Sequence, residues 1–562
     1  MKSKYQQLLY LAIAALLVSN LAAAPKEESG FEWTTVVNNN DFMPPLGLRN
    51  FNSYNQPSVN VLGQVVVRAR SRGGPPLGPP THGIYLRDMS EIDSEDIRIL
   101  DKTSHVPQPN NLQTTFVETP SFPRIDMLTD TIATRGNHQP VHRYHLGDGT
   151  ETRTGTTGIY TNPFGELITG AAKLGDVPEF DFLKAPEFSG IRFEVFPGAP
   201  SVTDGNTIVF KGNYTVNGIG KTGVYYRDLE AELAGGTSPA VLIANNTDTL
   251  IPGTHTVFGS TAPPNAANRM VVFAGFDDEY APTSGGIYLA PLQFQPPLQA
   301  LVQIGEAVPD KSINGSFSAL GEGIAFDGRH VGFWGAWGRQ NKTVRLYCPS
   351  EGNRDRIDYC NQELICEATG EVFGDPNSIC DEASDPNFGV SCYVDKAVPL
   401  NQGIFVHDIK SRSTHLVAGT GSRFDEFLFW NYSGKVPCTG SGHSDEGAED
   451  DGEPVRWRSS AFVAVSGGNG AAFHAAFKAT TVDRVDGIYL VKGPGKLAVS
   501  TVLDTTMDGQ ALDPEAPAGS TIIDLGLERE GLRGDWLVIN SSMGAEGAEE
   551  DGMSGIYITK VK

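Results

Sequence analysis

Outside one window this sequence has no cysteine: none occurs before residue 348 or after residue 438. Most of the chain must therefore be held by packing rather than by cross-links. After the N-terminal stretch LLYLAIAALLV, no apolar run is long enough to span a bilayer, so no membrane span is expected. No segment holds apolar residues at the 3.6-residue helical period, which excludes helical solenoids. Basic residues are scarce, 43 Lys and Arg against 67 Asp and Glu, and the net charge is -24. Such a field repels phosphate and argues against nucleic acid and anionic membrane as partners. The G-x-S-x-G element of serine hydrolases is absent, as are WD40 and kelch signatures. GIGKTG lacks the first glycine of a phosphate loop and joins two strands, with no helix to receive phosphate.

What is present begins with a secretory pattern. Lys2 and Lys4, the apolar run and the small residues of NLAAAP read as a signal peptide over 1–24, so the mature protein is expected outside the cell. Cys348, Cys360, Cys366, Cys380, Cys392 and Cys438 agree with export and predict three disulfides, their pairing left open. No CxxC pair or histidine stands at zinc-ligand spacing. Asn213, Asn245, Asn314, Asn341, Asn431 and Asn540 each begin an Asn-x-Ser/Thr sequon, which predicts a glycoprotein.

The 562 residues exceed one ordinary core, so several domains or a repeat array are required. A repeat is present. The tag Gly-[Ile/Val]-[Tyr/Phe] starts at Gly83, Gly158, Gly223, Gly286, Gly403, Gly487 and Gly555. Before it comes an apolar run such as TIVFKG or RMVVFAG, preceded in turn by a short strand and a tight turn. After it comes a run such as IRILD or VSTVLD. The unit is four strands, a to d, with the tag on c. Apolar residues on both faces of b and c describe sheets covered on both sides. The expected fold is therefore all-β: a seven-bladed β-propeller of four-stranded blades over 31–562, with a Cys-rich loop insertion at 338–402. The last tag, SGIYITKVK, has no d strand after it, whereas WTTVV near the mature N-terminus resembles a d strand without a tag. The N-terminal strand is expected to complete the last blade.

These G-[IV]-[YF] units resemble those of uncharacterised secreted β-propeller-type repeat proteins, over most of the mature chain. The resemblance implies the architecture and transfers no catalytic residue.

In this arrangement the b–c and d–a connections share one face, and they are the long ones. Cys438, read as part of a d–a connection, lies on the same face as the insertion, so a bridge between them is geometrically allowed. The candidate catalytic residues are His138, His142, Arg143, Tyr144 and His145 in GNHQPVHRYHLGDG, where imidazoles beside Tyr and Arg suit proton transfer or metal binding. Trp457, flanked by Arg456 and Arg458, is a candidate sugar platform, while Trp334 and Trp337 read as filler between blades. The acidic loops SDEGAEDDGE and GAEGAEEDGM are candidates for calcium, the one cofactor considered. The function expected is that of a monomeric binding or scaffold module for an extracellular glycan or protein ligand. The alternative is a polysaccharide-active enzyme, a lyase or glycosidase, with its site on the loop-rich face.

Overall fold

The computed structural model describes residues 30–561 apart from 46, 75, 77, 92, 138–142, 187–189, 351, 367–368, 382–390, 440–453, 468–471, 495–496 and 546–551. The signal-peptide segment, His138, His142 and nearly all of both acidic loops lie outside the described residues.

Among the described residues the chain forms seven antiparallel sheets of four or more strands, and each carries one tag. The tag strands of sheets 1 to 7 are His82–Asp88, Glu151–Thr161, Ile219–Asp228, Gly285–Pro291, Ser391–Asp408, Asp486–Gly493 and Met553–Lys560. Sheet 3 is the simplest, with Ser201–Thr203, Thr207–Val216, Ile219–Asp228 and Val241–Asn245 paired in that order. In sheet 7 the strands Thr521–Gly526, Trp536–Gly544 and Met553–Lys560 are followed by Thr34–Asn38. Thr34 pairs with Ile558 and Asn38 with Gly555, so the N-terminal strand completes the last sheet.

The tag recurs because one packing problem recurs. Its aromatic side chain is fully buried in Tyr85, Tyr160, Tyr225, Tyr288, Phe405 and Tyr557. An aromatic entering the inner strand meets it edge-on, as in Phe51–Tyr85 (5.1 Å), Phe116–Tyr160 (4.8 Å) and Phe193–Tyr225 (5.0 Å). Residues i and i+2 share a strand face, so the ring lies over the glycine two positions before it. A Cβ on Gly223 would stand 2.7 Å from the Tyr225 hydroxyl oxygen. Opposite the tag, the outer strand slips register between Ile84 and Tyr85, Val224 and Tyr225, and Ile287 and Tyr288. Such bulges deepen the twist of each sheet.

The cores lie between sheets. Val65 and Val67 face sheet 7, packing with Val37, Val538 and Ile556, whereas Val66 and Ile84 face sheet 2, packing with Ile125 and Ile132. This explains the unbroken apolar runs: alternate residues serve different neighbours. Each buried Val or Ile is worth roughly 1.5–3 kcal/mol. Trp334 joins the core between sheets 5 and 6, and Trp337 that between sheets 4 and 5, as expected of filler.

The inner strand is broken midway in sheets 1, 4, 5, 6 and 7, as in Phe51–Tyr54 and Ser58–Val59. The innermost segments touch one another in chain order: Ser58–Val59, Arg124–Ile125, Ser201–Thr203, Asn265–Ala267, Ala325–Phe326, Val463–Ser466 and Leu532–Arg533. The last touches the first again. In sheet 6 the break spans 427–462 and holds a two-stranded ribbon, Phe429–Ser433 with Arg456–Ser460. Cys438 belongs to this break. The sequence reading that put it in a d–a connection is therefore corrected, because Phe424–Glu426 has already paired as inner strand before it.

The insertion is an arm on sheet 5. Strands His330–Tyr347 and Ser391–Asp408 run past the sheet after a register break between Trp337 and Asn341, and pair out to Tyr347 and Tyr393. A short helix, Arg354–Cys360, starts at Asn353, whose side-chain oxygen accepts from the Arg356 N–H at 2.9 Å. Disulfides Cys348–Cys360 and Cys380–Cys392 lie within the arm, and Cys366–Cys438 ties it to the sheet 6 excursion.

Candidate functional site

Charged residues gather where the inner strands meet. In the break of sheet 7, LEREGLR (527–533) crosses the centre and reaches five other sheets. The Val59 N–H of sheet 1 donates to Glu530 O at 3.0 Å. Arg124 of sheet 2 pairs with Glu528 at 2.8 Å. Arg529 donates to Pro263 O of sheet 4 at 3.4 Å. Arg533 donates to Phe326 O of sheet 5 at 3.0 Å and to Val465 O of sheet 6 at 3.2 Å. Burial alone would raise the Glu528 carboxyl, but Arg124 and Arg529 outweigh it and hold the group below its usual range. Burial, with Arg124 nearby, lowers the Arg529 guanidinium to about 10. These side chains are 1–10 % exposed, so the cluster acts in cohesion and is closed to a ligand. Nothing in the sequence alone singles out this segment, because alternating Glu and Arg are ordinarily surface residues.

The nominated histidine loop stands elsewhere. Arg143–His145 pairs with residues 151–153 in a hairpin projecting from sheet 2. Arg143 Nη1 and His145 Nδ1 both reach Glu151, at 3.4 and 3.3 Å, in solvent. Tyr144 turns inward onto Leu174, Val177 and Leu183. The His145 backbone is fixed by Asn111 in the connection between sheets 1 and 2, away from the central charges. Among the described residues of this loop, Arg143 and His145 thus share one solvent-exposed carboxylate, while Tyr144 serves packing.

Trp457 is not an open platform. Its ring lies 5.2 Å from Tyr432 and packs with Cys348, Cys360 and Cys392. Arg456 crosses to sheet 4, pairing with Glu279 at 3.2 Å and lying over the Tyr280 ring. Arg458 donates to Pro454 O at 3.5 Å.

Of the sequon asparagines, Asn314, Asn341 and Asn431 are exposed, while Asn213 and Asn540 are half-buried. Asn245 is 1 % exposed, and its side-chain oxygen caps a turn by accepting from the Thr247 and Asp248 N–H groups. Of the six sequon asparagines Asn245 is thus the least accessible.

One cleft does open on the face of the b–c connections, between sheets 2 and 3. It encloses about 290 Å³. Thr152 of the projecting hairpin forms one wall, and Gly175 brings the chain close beneath it, its N–H donating to Arg153 O at 2.7 Å. The 3₁₀ turn Asp181–Leu183 sets Lys184 on another wall, with Nζ 2.8 Å from Asp181 and 3.3 Å from Asp176. Burial would lower the Lys184 ammonium, but the two carboxylates outweigh it and raise the pKa. Arg192, Glu194 and Thr215 come from sheet 3 and the chain entering it, and the Thr215 hydroxyl donates to Glu194 at 2.9 Å. No sequence motif announced this site, since its residues come from separate stretches.

Among the described residues no helix is long and apolar enough to cross a membrane, and no cluster of His, Cys, Asp or Glu is placed to hold a metal ion.

No protein-family model matches the chain, and no curated protein matches it. Solved structures give distant likenesses. A glycosyl hydrolase from Bacteroides ovatus is 13% identical with a TM-score of 0.23, covering 55% of this chain and 90% of its own. The periplasmic gluconolactonase of Pseudomonas aeruginosa is 13% identical with a TM-score of 0.25, over 80% and 95%. Fructan 1-exohydrolase IIa from Cichorium intybus is 9% identical with a TM-score of 0.23, over 94% and 96%. Likeness at this level assigns neither substrate nor reaction to the chain.

Proposed function

We propose that the chain is a secreted seven-bladed β-propeller, each sheet a blade, that binds an extracellular ligand on the face of its b–c connections. The blade reading is supported by inner segments that touch in chain order and return to the first. Export is supported by three disulfides, the pattern of an oxidising compartment. The observation that carries the binding role is where the chain spends its extra residues. The disulfide arm, the ribbon, the Cys366–Cys438 tie and the sheet 2–3 cleft all stand at the b–c end, which adds rigid relief to one face.

The second reading, a polysaccharide-active enzyme, is favoured by Asp176 and Glu194 lining one cleft, since glycoside hydrolysis uses two carboxyl groups. One screen separates the two. The purified chain is applied to immobilised neutral and acidic polysaccharides and to extracellular proteins, with both retention and released oligosaccharides scored. Retention without release is expected. Release of oligosaccharides would replace the binding role by the enzymatic one, and retention by nothing would remove both.

A further inference from the structure

We infer that the cleft between sheets 2 and 3 binds an uncharged hexose unit of a glycan chain, an inference that rests on the binding-module reading above. The first support is size. At about 290 Å³ the cleft lies at the small end of ligand sites, which run to about 300–1,000 Å³, and it suits one or two sugar rings.

The second is charge. Lys184 and Arg192 face Asp176 and Glu194 across the opening, so the lining carries two charges of each sign. Lys184 is held by Asp176 and by Asp181 outside the lining. A uronate or phosphate entering the cleft would meet three carboxylates and two cations, within a chain of net charge -24. The field therefore rejects anions, while the carboxylates are already engaged, Asp176 and Asp181 by Lys184 and Glu194 by the Thr215 hydroxyl, which weakens their pull on an added positive ligand.

The third is hydrogen-bonding pattern. Carboxylates accept, ammonium and guanidinium donate, and the hydroxyls of Thr152 and Thr215 do both. Donors and acceptors lining one cleft match vicinal hydroxyls, each of which donates once and accepts up to twice. Glu194 is already oriented by Thr215 at 2.9 Å, which reduces the ordering cost of binding. Ile191 supplies an apolar strip for the C–H face of a ring.

The test compares the full chain with Glu194→Gln, Arg192→Met and Thr152→Val by affinity electrophoresis through a neutral β-glucan, a neutral mannan and polygalacturonate. Melting curves establish that each variant is folded, and the three substitutions are independent should one of them misfold. At least one neutral glycan should retard the wild type, and loss of a charge-assisted contact in E194Q or R192M should weaken that affinity about tenfold. Preference for polygalacturonate would overturn the inference. So would equal retardation of wild type and all folded variants, although that result keeps the binding module and only moves its site. No retardation by any of the three overturns the hexose assignment and leaves the broader reading to a protein ligand.

Discussion

Arg124 and Glu528 lie 2.8 Å apart although their sheets are not neighbours: sheet 1 stands between sheets 2 and 7. The pair is buried, and both groups are charged. Removing Arg124 leaves Glu528 with only the longer contact to Arg529, 3.7 Å away, and breaking a buried pair costs about 3–5 kcal/mol. Arg124→Ala should lower unfolding free energy by that amount, read by denaturant titration. The double variant R124M/E528L should lose less than either single change. A loss below about 1 kcal/mol for R124A would mean that the centre does not bear on stability.

The strand Thr34–Asn38 offers a second test. Val36 and Val37 are fully buried between sheets 7 and 1. Val37→Asp removes roughly 1.5–3 kcal/mol of burial and adds a buried charge. Melting of the whole domain should shift downward as one transition, and deletion of Phe31 to Val37 should do so more severely. An unchanged melting temperature for the deletion would show that the last sheet stands without it.

Gly223→Ala forces a Cβ to 2.7 Å from the Tyr225 hydroxyl oxygen and 2.9 Å from its ring. Overpacking of this kind typically costs about 1–3 kcal/mol. Adding Tyr225→Phe removes the nearest atom and should recover part of the loss, as sheet 5 already combines Gly403 with Phe405. No recovery in the double variant would locate the strain in the backbone.

Two groups in and beside sheet 1 give opposite pH dependences. Burial raises the Asp96 carboxyl to about 6; Arg87 opposes this and Asp41 adds to it. The folded state thus holds its proton longer than the unfolded one, so this stability is complete below about pH 4 and is lost as pH rises through 6. Asp96→Asn should stabilise the protein above pH 7 by on the order of 2 kcal/mol, with the gain vanishing near pH 4. His82 is pushed down to about 4 by burial, with Arg68 and Lys102 adding to it. Its neutral form is favoured in the fold, so stability present above about pH 6.5 is lost as pH falls through 4. His82→Gln should flatten that acid limb in melting curves taken from pH 4 to 8, and an unaltered limb would assign it to other groups.

The repeat was legible because each unit states the same requirement, a glycine under an aromatic ring, in adjacent letters. The N-terminal strand was legible for a related reason: a c strand without its d, and a d strand without its c, identify each other. LEREGLR carried no such cue. Its burial depends on five other sheets converging around it, and charge in a sequence otherwise reads as surface. Trp457 failed in the opposite sense. Flanking arginines suggested exposure, but Tyr432, twenty-five positions earlier and paired directly with it across the ribbon, covers its ring. The cleft stayed invisible because Thr152, Lys184 and Thr215 are near only after two sheets have formed and docked.

The pairing of Thr34–Asn38 with Met553–Lys560 also has a consequence in time. The Thr559 hydroxyl donates to Glu32 O across 527 residues of chain. A chain made from its N-terminus exposes this strand first and supplies its partner last. Six sheets can form in order of synthesis while the seventh waits, its oldest strand an unpaired edge throughout. The contact that completes the last sheet thus spans almost the whole described chain, and loss of the final strand would leave the first without its partner.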